Sequence, residues 1–288
     1  MDLDADIHAY LPDYPELPYE LTTRQLLSHQ GGIRHYAANS IPPIFRESGM
    51  NVPFATTSDA LGIFSDDPLL FEPDTGFSYS TYGYTLAAAV MEGATGMSFL
   101  DILQAQVFDT VGMAHSSADY QDRPVPNRVS DYRASDSIDD RQPAPDTDPS
   151  YKWAGGGLLS TPGDLSLFGS ALIRGEVVSL ETRDVMFTER STSDGEINPQ
   201  YYGLGWRMGG LYYPSGTENV IPMINHGGTS LGSTAILAVY PDSGLVVAMT
   251  ANVTPPRGSG PLRSVAANIA RAFLTEMGYV PEGYEAEE

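Results

Sequence analysis

The stretch "STAILAVYPDSGLVVAMTANV", residues 233 to 253, restricts the fold more than any other. Two apolar runs flank Pro241-Asp242-Ser243-Gly244, a turn sequence, and so read as an antiparallel hairpin. A lone hairpin is marginal in water and needs a cover. One follows at once: Leu262, Val265, Ile269 and Phe273 fall on one stripe of an amphipathic helix. "YYGLGWRMGG" and "NVIPMINHGG", residues 201 to 210 and 219 to 228, also read as strand. The sheet expected from these runs has only about three strands, few for a domain of this size.

Upstream the period is helical. Thr22 or Thr23 caps a short helix through "RQLLSHQ" that Gly31-Gly32 stop, and a helix is expected near "TTSDALGIF". In "FSYSTYGYTLAAAV", residues 77 to 90, polar and aromatic residues give way to a helix from Tyr82 to Met91, which Gly93 and Gly96 end. Ser98 with Asp101 opens "FLDILQAQVF". Thr161, Pro162 and Asp164 give a clean helix start, with Leu165, Phe168 and Leu172 on one face and Gly175 at the end. The polar run around "SDSIDDRQPAPDTDPS" reads as a solvated loop, and "EGYEAEE" as a frayed tail. The expected organisation is one α+β domain over residues 1 to 288. Residues 15 to 175 form a mostly helical lobe, and residues 176 to 288 a sheet lobe with a C-terminal helix.

Charge narrows the functions. The chain has 37 acidic against 15 basic residues, a net charge of -22. Nucleic acid and anionic lipid are therefore poor partners. Lys152 is its only lysine, and cysteine is absent, which removes disulfides, thiolate catalysis and Cys-ligated zinc. No apolar run reaches the roughly 18 residues of a membrane span. Residues 1 to 20 show no signal peptide, so the sequence does not fix a compartment.

Two stretches carry candidate chemistry. Tyr79, where the helix through residues 82 to 91 begins, is either a packing ring or a catalytic hydroxyl. The positive helix end would favour a phenolate of lowered pKa, able to act as a general base. "NHGGTSLGS", residues 225 to 233, is either a glycine turn with an incidental histidine or a strand edge whose N–H groups hold an oxyanion. His29 and His35 lie six apart, not at the helical zinc spacing of four, so no metal site is expected and His29 reads as a structural hydrogen-bonder at a helix end. Nor do His8 and His115 have partners in sequence. Lys152 reads as a packed stem with a solvated head.

Six ordered segments carry a resemblance: "MDLDADIHAYLP", "LTTRQLLSHQGGI", "LLFEPDTGFSYSTYGYTLAAAVMEGATG", "VFDTVGM", "YKWAGGGLLSTPGDLSLFG" and "NHGGTSLGSTAILAVYPDSGLVVAMTAN". Together they resemble the β-lactamase-related serine hydrolases, a family of class C β-lactamases, D-alanyl-D-alanine carboxypeptidases and esterases. The match is nearest the mitochondrial β-lactamase-like protease branch. The resemblance implies a β-lactamase/transpeptidase-like fold, no cofactor, and a small ester, peptide or peptidoglycan-like substrate. Tyr79-Ser80-Thr81 matches the family's Tyr-x-Asn, with Thr81 in place of the asparagine that binds the substrate amide. His226-Gly227-Gly228 matches its Lys-Thr-Gly or His-x-Gly strand, and Thr229 would supply the oxyanion N–H. By that carry-over Tyr79 and His226 are catalytic, and Thr81, Gly228 and Thr229 bind substrate or the oxyanion.

The family's nucleophilic motif, Ser-x-x-Lys, is absent, because the residue three before Lys152 is Pro149. In the family it lies about 20 residues ahead of the segment matching "MDLDADIHAYLP". It would fall before Met1 together with the N-terminal helix and first two strands. The expectation is a hydrolase given without its nucleophile, inactive as it stands. The alternative is a pseudo-hydrolase that binds ligand or assembles with a partner. Either way, the short sheet is expected to expose an edge that self-associates.

Overall fold

The computed structural model describes residues 1–36, 47, 50–135, 139–208, 221–254 and 259–279. The tail at 282–288 lies outside the described residues.

Local signals place most helices. Helix α1, Thr23–Leu27, starts at Thr22, whose hydroxyl accepts the Gln25 N–H while the Gln25 side chain accepts that of Thr22. It ends before the glycine pair. His29 takes the left-handed turn instead, at φ 60. Helix α2, Thr57–Ala60, runs into a 3-10 turn over Leu61–Ile63. Helix α3, Thr81–Thr95, is capped by Ser80 and closed by Gly96 at φ 68. Gly93 does not end α3 but lies within it, because a β-carbon there would strike the Tyr10 carbonyl. Ser98 caps α4, Phe99–Leu103, and a π turn over Gln104–Phe108 joins it to α5, Asp109–Val111. Tyr82, Leu86 and Val90 of α3 pack with Ile7, Leu26 and Phe64 in the core of this lobe.

Strands β1, Ser117–Ala118, and β2, Leu158–Leu159, form a small ribbon on either side of α6, Trp153–Gly156, in the chain. Thr161 caps α7, Pro162–Arg174. Asp164 does more than meet a helix end. It is buried and accepts the His115 N–H and the Ser116 hydroxyl, both at 2.8 Å. Helix α8, Leu180–Met186, follows.

The main sheet is antiparallel in the order β3-β4-β5: Ile224–Ser230, Ser233–Tyr240 and Leu245–Ala251. The expected hairpin joins β4 to β5, with Gly244 left-handed at φ 72. Alternation along β4 splits its faces. Leu237 and Val239 pack with Leu172 of α7, while Ile236, Ala238 and Tyr240 pack with α9, Gly260–Glu276.

Three expectations fail here. "YYGLGWRMGG" is not a strand over its described residues, 201–208. Left-handed Tyr201 and Gly205 fold it into a turn, leaving isolated bridges of Tyr202 to Arg207 and Arg207 to Asn225. Most of the stripe expected on α9 is turned outward: Val265, Ile269 and Phe273 are 45%, 37% and 57% exposed, while Leu262 packs against the sheet core as expected. Ala266, Ala270 and Leu274 face the sheet instead, because the large side chains of Ile236 and Tyr240 fill the space there. The polar run before α6 is only partly solvated. Asp148 and Ser150 are buried, and Tyr132 bridges to both Pro143 and Val253.

Candidate active site

The start of α3 is fixed from outside by "HQGGIRHY". The Ser78 N–H donates to the His29 carbonyl at 3.0 Å and the Ser80 N–H to His29 Nδ1 at 3.1 Å. The Thr81 N–H donates to His35 Nδ1 at 3.1 Å. A backbone N–H can only donate, so both imidazoles accept at Nδ1 and are neutral. Burial, with neighbouring cationic groups adding to it, pushes His29 down to about 2 and His35 to about 4. His29 is thus a structural hydrogen-bonder, at the start of α3 rather than only at the end of α1. Ser80 Oγ accepts the Gly83 N–H and donates to the Arg34 carbonyl, so it is already committed.

Tyr79 stands on this support. Its ring is 4.3 Å from that of His29 and 6.3 Å from that of His226, which is 147 residues away in sequence (226 less 79) and tilted by 29°. The Arg207 guanidinium lies 5.3 Å from the Tyr79 ring centre. The neighbouring phenols are committed: Tyr82 to Glu47, Tyr84 to the Leu27 carbonyl, and Tyr202 to His226 Nε2 at 3.0 Å. The Tyr79 hydroxyl has no partner among the described residues and is not sealed from solvent. A lowered phenol pKa does not survive: burial raises it, and Arg207 only offsets that. Tyr79 therefore enters the site as a neutral hydroxyl.

The second wall is the edge of β3. Asn225 and Arg207 exchange both backbone hydrogen bonds at 2.9 Å, so Asn225 points its N–H away from β4. Alternation gives Gly227 and Thr229 the same direction, while His226 and Gly228 pair with β4. The Thr229 N–H thus lies on the outer edge. A β-carbon on Gly227 would sit 2.6 Å from Ser259 Oγ, whereas one on Gly228 would meet nothing within 4 Å. His226 is neutral, pushed down to about 4 by burial and Arg207.

The other candidates fall differently. Thr81 is buried, 5% exposed, in the contact of α3 with α6, where a β-carbon on Gly155 would strike its methyl group. The head of Lys152 is not solvated. The residue is 6% exposed, with its ammonium 5.5 Å from the Tyr151 ring centre, and burial pushes it down to about 8. Arg207, Tyr202 and the capping role of His35 were not anticipated. Nothing local distinguishes Arg207 among 14 arginines. Among the described residues no group of three or more His, Cys, Asp or Glu is placed to hold a metal.

A family model described as Beta-lactamase matches residues 1–271. The human serine beta-lactamase-like protein LACTB, mitochondrial, is 28% identical over 337 residues, covering 90% of this chain and 61% of that protein. Penicillin-binding protein 4* of Bacillus subtilis (strain 168) is 27% identical over 206 residues, 67% of this chain and 44% of that one. The chain thus spans about six-tenths of the length of the human protein it matches. In fold it is similar to a D-stereospecific amidohydrolase from Streptomyces sp., with a TM-score of 0.73 at 21% identity over 93% of this chain and 78% of that one.

Proposed function

The chain belongs to the β-lactamase family, and on that premise we propose that it carries the proton-transfer and oxyanion-binding parts of a serine hydrolase acting by acyl transfer on an ester or peptide. One observation carries the reading: the Tyr79 hydroxyl, without a partner among the described residues, the His226 ring and the outward Thr229 N–H belong to elements that meet beside the β3 edge. The resemblance supplies the roles. A serine oxygen bonds to the acyl carbon as its proton leaves through the Tyr79 hydroxyl, and that proton passes to the departing alcohol or amine. Water repeats the sequence on the acyl-enzyme. The Thr229 N–H meets the oxygen that gains charge. His226 sits behind it as a neutral ring held by Tyr202.

The serine is the open term. No serine in these 288 residues has a lysine three positions on. That observation favours a second reading, a pseudo-hydrolase that binds ligand or assembles without acyl chemistry. The coding sequence upstream of Met1 separates the two. An in-frame Ser-x-x-Lys supports the hydrolase, and a stop codon there supports the second reading. A fluorophosphonate probe adds a direct check: this chain should remain unlabelled, and stoichiometric labelling at one serine would reveal an unforeseen nucleophile.

A further inference from the structure

Lys152 carries the only side-chain amine in the chain, and no step described above uses it. The 3-10 turn Pro149–Lys152 delivers it to the start of α6, where it is 6% exposed. It has no hydrogen bond or ion pair among the described residues, and its Nζ is not sealed from solvent. Rings lie where a counter-ion would be expected: Nζ is 5.5 Å from the Tyr151 ring centre and 6.0 Å from that of Tyr36. The titratable groups facing it are His35 and Tyr36 from the segment after α1, Tyr151 beside it and Asp119 beyond β1. His35 is neutral, and Asp119 is spent on Arg128. The same wall carries Tyr79: the His35 ring lies 5.7 Å from the Tyr79 ring, and α6 packs against Thr81 through Gly155. The other 14 basic residues are arginines, which keep their protons. Burial pushes Lys152 down to about 8, so near that pH much of it holds a free electron pair.

We propose that Lys152 is an acyl-accepting amine, a modification site whose Nζ takes a small acyl group from an activated ester or thioester and becomes an amide. The nitrogen lone pair bonds to the carbonyl carbon, and the bond from that carbon to the leaving oxygen or sulfur breaks. The leaving group departs with that electron pair, and the nitrogen sheds one proton to it. Nothing is oxidised or reduced. The amine is recessed, so small acyl groups reach it best. The amide removes a positive charge from the wall beside His35. The class of donor follows from the hydrolase reading, but the amine needs neither an upstream serine nor turnover.

The test is acetylation of the chain as it stands by p-nitrophenyl acetate, located by mass spectrometry after digestion. The terminal amine of Met1 is the only other amine, and its peptide is read separately. The acetyl group on Lys152 should resist hydroxylamine, which strips acyl groups from hydroxyls. Its rate of formation should rise with pH through about 8 and level off above about 9, because only the deprotonated amine reacts. In urea the same lysine becomes ordinary, with a value of about 10.4, and should react about fivefold or more slowly at about pH 8. Asp119→Asn removes the nearby carboxylate that favours the ammonium, so levelling off should begin at lower pH. Lys152→Arg should leave the Met1 label alone. No acetyl on folded Lys152 at about pH 9, a rate still climbing at about pH 10, or equal or faster reaction in urea would overturn the proposal. If Asp119→Asn fails to fold, the folded and urea-unfolded rates of the unaltered chain still decide it. A nucleophile-bearing form that hydrolyses the ester while Lys152 stays unmodified would sink this inference alone. An acetylated Lys152 in such a form without hydrolysis would sink only the hydrolase reading.

Discussion

The two walls of the candidate site are built on opposite principles. At the start of α3, side chains from another segment hold consecutive backbone donors, and Tyr79 rests on a buried imidazole. At the edge of β3, an exchange of hydrogen bonds with Arg207 and the bond from Tyr202 to His226 are the described attachments, and Gly228 leaves open space beside the strand. The first wall spends its polar groups on position. The second leaves them unspent. Mutations should therefore divide: at the α3 wall, supporting residues cost stability and the phenol costs rate, while along the β3 edge the fold should notice a side chain at Gly227, against Ser259, and hardly notice one at Gly228.

The largest expected effect is on rate. In a form of the protein that carries a Ser-x-x-Lys segment, Tyr79→Phe should lower kcat about 100- to 10,000-fold, roughly 3 to 5 kcal/mol, and leave KM much less changed. The ring would still rest on His29, so the melt should stay put. Thr229→Pro, which removes an oxyanion donor, should cost about 100-fold, while Thr229→Ala keeps that N–H and should be nearly silent. Steady-state kinetics on a p-nitrophenyl ester give the answer, and a fully active Tyr79→Phe would make the tyrosine a packing residue.

Next comes the support itself. His29→Ala leaves the Ser80 N–H buried without an acceptor, opens a cavity under Tyr79 and puts alanine at φ 60. Together these should cost about 3 kcal/mol or more. His29→Asn, which tolerates that φ, should lose less. Urea melts of the pair check the ranking, and equal losses would mean that the backbone conformation plays no part.

Protonation tests the same wall. The folded chain keeps His29 and His35 neutral, with values of about 2 and 4, below the ordinary value of 6.5. The unfolded chain therefore takes up protons first as pH falls. Stability from these groups is intact above about pH 6.5 and is lost on the way down to the folded values, for buried His29 at about 1.4 kcal/mol per pH unit. The loss should begin above the carboxylate range. Chemical melts at pH 7.5, 6 and 5 would show it, and His29→Asn should flatten the slope. A melt unchanged down to pH 5 would contradict the neutral-cap assignment.

Much of this was legible in the sequence, for physical reasons that differ by element. Caps at Thr22, Ser98 and Thr161 are local, and local rules found them. The β4–β5 hairpin and the Tyr79 and His226 motifs were visible as segments. The support of Tyr79 was not, because it joins residues 29 and 35 to residues 80 and 81 through backbone donors that no motif records. The face of α9 was misjudged because hydrophobicity ranks Val265, Ile269 and Phe273 above alanine. Contact with the sheet selected the small side chains of Ala266 and Ala270 instead. That outward stripe and the outer edge of β5 underlie the proposed self-association. Phe273→Glu should then reduce the mass seen by light scattering, and a chain that is already monomeric would remove the proposal.

The smallest effect is the sharpest test of the bare edge. Gly227 and Gly228 are adjacent, neither has positive φ, and alanine suits a strand better than glycine. Sequence rules alone therefore predict the same outcome at both. The structure separates them. A methyl group on Gly227 meets the Ser259 side chain at 2.6 and 2.9 Å, so Ser259 and the start of α9 must shift, which should cost about 1–3 kcal/mol. A methyl on Gly228 meets nothing within 4 Å, so Gly228→Ala should change stability by less than about 0.5 kcal/mol. Urea melts of the two variants measure the difference. If they match, β3 is packed alike at both positions and the bare edge is not there.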